Sequence, residues 1–145
     1  MGYSFITAAA KHLSMVEIDN WSSNQHEFNG VASLRRMFGT KRQYFNATFI
    51  YYDNTGEVMQ EYGEVTWYDA REAHPTRTEY RLYYTENSVV RRASINDLLI
   101  VGKKSDNTIV VIIAKSGCSY YDLFMKLFGL TNITNTYVLY DRIAI

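Results

Sequence analysis

Apolar positions in this chain alternate more often than they recur at a helical spacing. Between Gln43 and Tyr52, the residues Phe45, Ala47, Phe49 and Tyr51 return at every second position, the period of a strand with one buried face. Asp53-Asn54-Thr55-Gly56 then reads as a turn, and Glu57 to Glu61 as the returning arm of a hairpin. Gly63 interrupts that arm, and Glu64 to Tyr68 starts another strand with Val65 and Trp67 on one side. Thr78 to Thr85 alternates again, with Tyr80, Leu82 and Tyr84 on one face and Glu79, Arg81 and Tyr83 on the other. The runs Asp97 to Lys104 and Thr108 to Lys115, joined by Ser105-Asp106-Asn107, are apolar almost without interruption. They predict a strand pair buried on both faces at the heart of the sheet. Thr136 to Tyr140 is a last strand-like piece.

Helical spacing appears at two places. Phe28, Val31, Leu34, Met37 and Phe38 form one stripe, which predicts a helix through His26 to Phe38, capped by Ser22 or Ser23 and stopped by Gly39. Leu123, Phe124, Leu127 and Phe128 form the second, a helix over Tyr120 to Phe128 with Ser119 as its cap, Asp122 in the first turn and Gly129 at its end. Weaker patterns predict a short helix over residues 3–12 and a short strand over Leu13 to Ile18. The tally is seven strands and two marked helices with short connections, a mostly antiparallel barrel or sandwich plugged by helices.

Composition sharpens this picture. With 145 residues, the chain is one ordinary domain, able to bury a core without disulfide or metal support. Aromatics reach 15%, including 13 Tyr and 7 Phe, which raises strand propensity. One Cys excludes an internal disulfide framework, and three scattered His lack ligand spacing. The apolar stretch Phe5 to Ala10 is too short for a signal segment or a membrane span, so a cytoplasmic protein is expected. Basic and acidic residues balance at 15 each, so a nucleic-acid binder would have to segregate its charge. Arg35, Arg36, Lys41 and Arg42 make one basic run; Arg91-Arg92 and Lys103-Lys104 make two more.

The stretch with most chemical content is Trp67 to Thr85. Aromatic, strand-like ends flank a polar loop that holds the chain's one proline, Pro75, and Arg71, Arg77, Glu79 and Arg81 fall within eleven residues. Arginine offers a rigid fork of donors that suits phosphate oxygens and the O6/N7 edge of guanine, and a carboxylate can accept from the cytosine amino group. Strand alternation would set Glu79 and Arg81 about 7 Å apart on one side of a ribbon that a major groove can admit. The bland alternative is a solvated hairpin with surface ion pairs worth about 0–1 kcal/mol each. Trp67, Tyr68, Tyr83 and Tyr84 could stack on bases, but cross-strand pairing is the commoner use of such residues.

Other chemistry fits less well. A metal-dependent nuclease strand would need an acid two residues before Lys115, where Ile113 stands, leaving Asp97 without a second carboxylate. Asp69, Glu72 and His74 share their loop with three arginines, which would hold the carboxylates ionised, and no nucleophile is placed beside them. Cys118 and Ser119 lack a nucleophile-elbow context, and no Gly-rich phosphate loop is present.

Tyr68-Asp69-Ala70-Arg71 followed by Thr76-Arg77-Thr78-Glu79-Tyr80-Arg81 resembles the recognition segment in the N-terminal effector-binding domain of EcoRII-like type II restriction endonucleases. The spacing from first to last arginine matches residue for residue. Ser23-Asn24-Gln25-His26-Glu27-Phe28-Asn29-Gly30 and Leu127-Phe128-Gly129-Leu130 also look like segments of those domains, so the likeness touches most of residues 13–130. The resemblance implies a seven-stranded B3-like pseudobarrel that binds double-stranded DNA at a short G·C-rich site in the major groove and represses a separate C-terminal nuclease domain. It implies base contacts from Arg71, Arg77, Glu79 and Arg81, with Glu79 on cytosine and Arg77 or Arg81 on guanine. Backbone contacts would come from His74, Thr76, Arg35, Arg36, Lys41 and Arg42. The implied domain, residues 1–145, is non-catalytic and needs no metal or cofactor; Mg²⁺ would serve only the separate nuclease domain. Its partners would be DNA and that nuclease domain, with homodimerisation through the parent protein left open, and residues 131–145 would begin a linker. Where Pro75 and Tyr80 stand, the family pattern has basic residues, so this arm carries fewer phosphate partners. The alternatives are a small nuclease holding Mg²⁺ through Asp69, Glu72 or Asp97, and a protein-interaction module that keeps the barrel.

Overall fold

The computed structural model describes residues 2–22, 26–30, 32–55, 58–129 and 138–145. Its strands are β1 (Ser4–His12), β2 (Glu27–Gly30), β3 (Gln43–Tyr52), β4 (Val58–Asp69), β5 (Tyr80–Tyr84), β6 (Leu98–Lys103), β7 (Ile109–Ala114) and β8 (Val138–Ala144). Its helices are α1 (Met15–Ser22), α2 (Ala32–Phe38), α3 (Ser88–Arg91) and α4 (Ser119–Leu127). All eight strands join one sheet in the order β2-β5-β4-β3-β7-β6-β1-β8, curled into a half-barrel. Every pairing is antiparallel except β3 with β7, which run parallel. Among the described residues, no helix is long and apolar enough to cross a membrane.

The chain is mostly β as expected, with β3, β6, β7 and α4 close to their predicted places, but the described residues form eight strands and four helices where seven and two were expected. Burial explains the uniform apolarity of β6 and β7. Leu99, Val101, Ile109, Val111 and Ile113 face an inner core with Phe49, Trp67, Leu82, Tyr84 and the apolar sides of α2 and α3. Leu98, Ile100, Val110 and Ile112 face an outer core with Ile50, Tyr52 and Phe124 and Phe128 of the α4 segment. Among the described residues, α4 packs on the outer face over that half. On the other half, Tyr44, Tyr62 and Tyr83 of β3, β4 and β5 stand exposed.

Several expectations are corrected. Residues 4–12 form a strand, not a helix, because Ala8, Ala9 and Ala10 are sandwiched between the two cores, where their small side chains fit and tertiary packing overrides helix propensity. Leu13 to Ile18 is not a strand. Ser14 and Glu17 form a capping box, Ser14 N donating to Glu17 Oε1 at 3.1 Å and Glu17 N to Ser14 Oγ at 3.4 Å, and α1 starts there. Glu17 is further held by Lys11 at 2.6 Å, with both side chains buried. The helix predicted from His26 begins only at Ala32; Glu27–Gly30 is β2, which pairs with β5, and Phe28 reaches the inner core from a strand. The candidate cap Ser23 and the stripe residue Val31 lie outside the described residues. Gly63 does not break β4. It pairs with Ala47, and a Cβ there would come within 2.4 Å of Thr85 Oγ1, so the glycine admits a close approach. Gly39 does end α2, at φ +82°. The cap of α4 is Cys118, whose sulfur accepts from Tyr121 N at 3.4 Å, with Ser119 as the first helical residue. Val138–Ala144 pairs with β1 from Ser4 to Ala10.

Candidate nucleic-acid interface

β4 and β5 pair from Val65–Tyr84 to Asp69–Tyr80, and residues 70–79 form the loop between them. β5 starts at Tyr80 rather than at the predicted Thr78, so Arg77 and Glu79 precede the ladder. Three interactions close the neck of the loop. Ala70 N donates to Glu79 O at 2.7 Å. Asp69 Oδ1 accepts from Arg71 N at 2.9 Å and from Glu79 N at 2.7 Å. Inside the loop, His74 N donates to Arg71 O at 2.8 Å. His74 Nδ1 accepts from Thr76 N at 3.2 Å and Arg77 N at 3.1 Å, which places the ring proton of the neutral form on Nε2. Pro75 sits at the tip, where its missing N–H leaves no ladder bond unmade.

Glu79 is the hub. Its Oε2 accepts from Arg71 Nε at 2.8 Å, and its Oε1 accepts from Arg81 Nη2 at 2.6 Å. These two guanidinium groups, Arg81 first, hold the Glu79 carboxyl below the usual carboxylate range. Arg81 Nη1 in turn donates to Glu27 Oε1 at 3.2 Å, and the Tyr68 hydroxyl donates to Glu27 Oε2. Burial, with the Glu27 carboxylate second, pushes the Tyr68 hydroxyl up to about 12. The side chains of Arg71 and Glu79 are 47% and 37% exposed, so both face solvent while engaged.

Aromatic packing sets this loop beside the basic run. Tyr80 stacks on Trp67 at 5.3 Å between ring centroids, and Trp67 on Phe38 at 5.0 Å. Trp67 Nε1 donates to Gly39 O at 3.0 Å, and the Tyr80 hydroxyl donates to Thr40 O at 3.2 Å. Both bonds tie the turn after α2 to the β4–β5 hairpin. Arg35 lies over the Tyr80 ring at 4.7 Å; Arg42 lies over Tyr68 at 5.2 Å and reaches Glu72 at 3.5 Å.

The structure thus gathers Arg35, Arg42, Arg71, Glu79 and Arg81 round one loop, with Arg77, Thr76 and His74 exposed on it. Arg36 and Lys41 are exposed on the adjoining segment, and among the described residues no ion pair or ring contact ties them to the loop. Trp67 and Tyr84 are buried core residues, leaving Tyr83 as the exposed ring of that set. Tyr80 is 9% exposed, so the position that is basic in the family pattern here belongs to the core.

The spacing of residue types did not single out Glu27 as a ligand of Arg81. The pair is 54 residues apart and meets only through β2–β5 pairing. Asp69 was legible as an acid but not as the staple of the neck, although an Asp ahead of a turn favours such bonds to following amides. Asp97, a metal ligand in the nuclease alternative, is buried. Its carboxylate accepts from Ser94 N at 2.8 Å and Ser116 N at 3.0 Å, and burial raises its pKa above the ordinary value. Among the described residues, no group of three His, Cys, Asp or Glu side chains could hold a metal ion.

No protein-family profile matches this chain, and no curated protein matches it by sequence. Solved structures do match by shape. The B3 domain of the UbaLAI restriction endonuclease, determined with its cognate DNA, aligns over 94% of this chain and 87% of its own at a TM-score of 0.44 and 18% identity. The N-terminal domain of Helicobacter pylori LlaJI.R1 aligns over 92% of this chain and 97% of its own at a TM-score of 0.57 and 12% identity. From β1 to β8, this chain therefore has the fold of the LlaJI.R1 N-terminal domain.

Proposed function

We propose that this chain is a non-catalytic, sequence-specific double-stranded DNA-binding domain, the recognition or effector module of an EcoRII-like restriction endonuclease. The observation that carries the reading is the Arg71–Glu79–Arg81 clamp on the β4–β5 loop, with Arg77 exposed on the same loop. Arg71 uses only its Nε on Glu79, so its Nη atoms remain donors toward an incoming base edge or phosphate. Each Glu79 oxygen keeps a further lone pair, enough to accept from a cytosine amino group without losing its arginines. Arg35, Arg42, Arg36, Lys41, His74 and Thr76 flank this centre as phosphate contacts, and phosphate contacts position while base contacts specify. The recognition string and the shared fold support the same assignment. Under it, the G·C-rich site is read in the major groove, and DNA occupancy releases an accompanying nuclease domain.

Selection of bound duplexes from a random pool, at stated salt, tests the reading. The expected result is one enriched G·C-containing site. Glu79→Ala then lowers affinity for that site by about 1–3 kcal/mol and relaxes the preference at one base pair. An unchanged binding profile in that variant would instead favour a protein-interaction module. Cleavage of a plasmid by the purified chain with Mg²⁺ would favour the nuclease alternative. Regulation is tested in the parent protein, where deleting this domain should raise cleavage.

A further inference from the structure

Arg81 is bound from behind as well as from the front. Its Nη2 meets Glu79 on the solvent side, its Nη1 meets Glu27 at 3.2 Å, and its Nε is buried with no partner among the described residues. Exposure rises along the chain of side chains from Glu27 at 17% through Arg81 at 28% to Glu79 at 37%. Glu27 sits on the edge strand β2, two residues before Asn29, the register partner of Arg81. Tyr68, the register partner of Arg81 on β4, donates its hydroxyl to the other Glu27 oxygen.

Resting on the DNA-reading assignment above, we propose that Glu27 is a positioning residue that fixes the Arg81–Glu79–Arg71 constellation before DNA arrives. Arginine loses much rotameric freedom when it is ordered, and a recognition group held in place in advance spares that loss at binding. Glu27 can do this without touching DNA, because its side chain is the least exposed of the three and lies inward of Arg81. It also neutralises the cluster: Glu27 and Glu79 balance Arg81 and Arg71. An uncompensated guanidinium at this place would attract phosphate regardless of sequence.

The two effects give Glu27→Gln an unusual signature. Affinity for the selected duplex falls, because Arg81 is no longer fixed. Affinity for an unrelated duplex of equal length holds or rises, because one negative charge is gone. The ratio of the two should drop roughly tenfold, the equivalent of one net hydrogen bond to a charged group. Tyr68→Phe removes the hydroxyl that anchors Glu27 without changing charge, so it should lower the ratio with no gain on the unrelated duplex. A residue that merely supports the fold would weaken both duplexes by one factor, and that outcome in both variants overturns the proposal. An unchanged ratio does so too. A DNA-free readout stands beside these. The Arg81 Nε–H resonance should exchange slowly with solvent in the wild type and faster in Glu27→Gln and Tyr68→Phe. No change there also overturns the proposal, whereas a wild type that enriches no sequence overturns only the assignment beneath it.

Discussion

Asp69→Ala should loosen the β4–β5 loop while leaving the sheet folded. The carboxylate accepts two amide bonds, from Arg71 at 2.9 Å and Glu79 at 2.7 Å, and so aligns the backbones of the two residues whose side chains form the clamp. Hydrogen bonds to charged groups are worth about 1.5–3 kcal/mol each when shielded, but this neck is partly solvated, so about 1 kcal/mol each is the appropriate figure. Opening the loop then becomes easier by about 2 kcal/mol, and exchange of the Arg71 and Glu79 amides roughly thirtyfold faster. Global stability falls by no more than the same amount, which at this chain length lowers Tm by about 2–4 °C per kcal/mol. Asp69→Asn keeps one acceptor oxygen in place and should show about half the effect, since neutral acceptors are roughly half as strong. The assay is native-state amide exchange read at single residues, with thermal unfolding alongside. If the two amides in Asp69→Ala exchange at the wild-type rate, the side chain is not what closes the neck, and the account of how the loop is positioned fails.

Three further outcomes follow from the same geometry. Trp67→Ala removes a fully buried ring stacked between Phe38 and Tyr80 and leaves Gly39 O without its donor, and should cost about 3–5 kcal/mol in denaturant unfolding. The Glu79 carboxyl is depressed by its arginines, so the clamp contributes above the carboxylate's ordinary pKa and is lost as pH falls through its lower folded value. An NMR titration should therefore find Glu79 ionised through the mildly acidic range, and a midpoint at or above the ordinary value would refute the pairing. Asp97 runs the other way: burial raises its pKa, so between the ordinary and the raised value the folded state binds more protons and this group's contribution to stability falls as pH rises. Asp97→Asn, titrated by urea unfolding across that window, should lack that decline.

What could be read from the sequence was whatever rests on local period. β3, β6, β7 and α4 show because each buries residues at a fixed repeat, and the uniform apolarity of β6 and β7 reports burial on two faces. The Ala-rich β1 misled because alanine favours a helix in isolation, and only the two cores on either side explain its strand. The capping box at Ser14 and Glu17, which marks where α1 starts, lies inside the stretch whose alternation was read as a strand. Phe28 fell on the α2 stripe by coincidence of spacing while belonging to β2. At the site, the clamp of Glu79 by Arg71 and Arg81 was within reach because the three residues span one loop. Glu27 was not, since its meeting with Arg81 depends on β2 closing the sheet edge beyond β5.

The two-faced sheet also accounts for how a chain of zero formal charge can present arginines at one place. Where α4 covers the outer face, side chains must be apolar, as in Ile50, Ile100 and Ile112. Where it does not, on β4, β5 and β2, the same outward positions carry Tyr68, Arg81, Tyr83 and Glu27. Three of the cations there are matched, Arg81 by two carboxylates and Arg71 and Arg42 by one each, while Arg35, Arg36, Lys41 and Arg77 have no carboxylate partner among the described residues. The matched arginines gain little from bulk attraction to phosphate. Under the proposed reading, selectivity rests on the direction in which each matched donor and acceptor points, and that direction is set by Asp69 at the loop neck, Trp67 beneath Tyr80 and Glu27 behind Arg81.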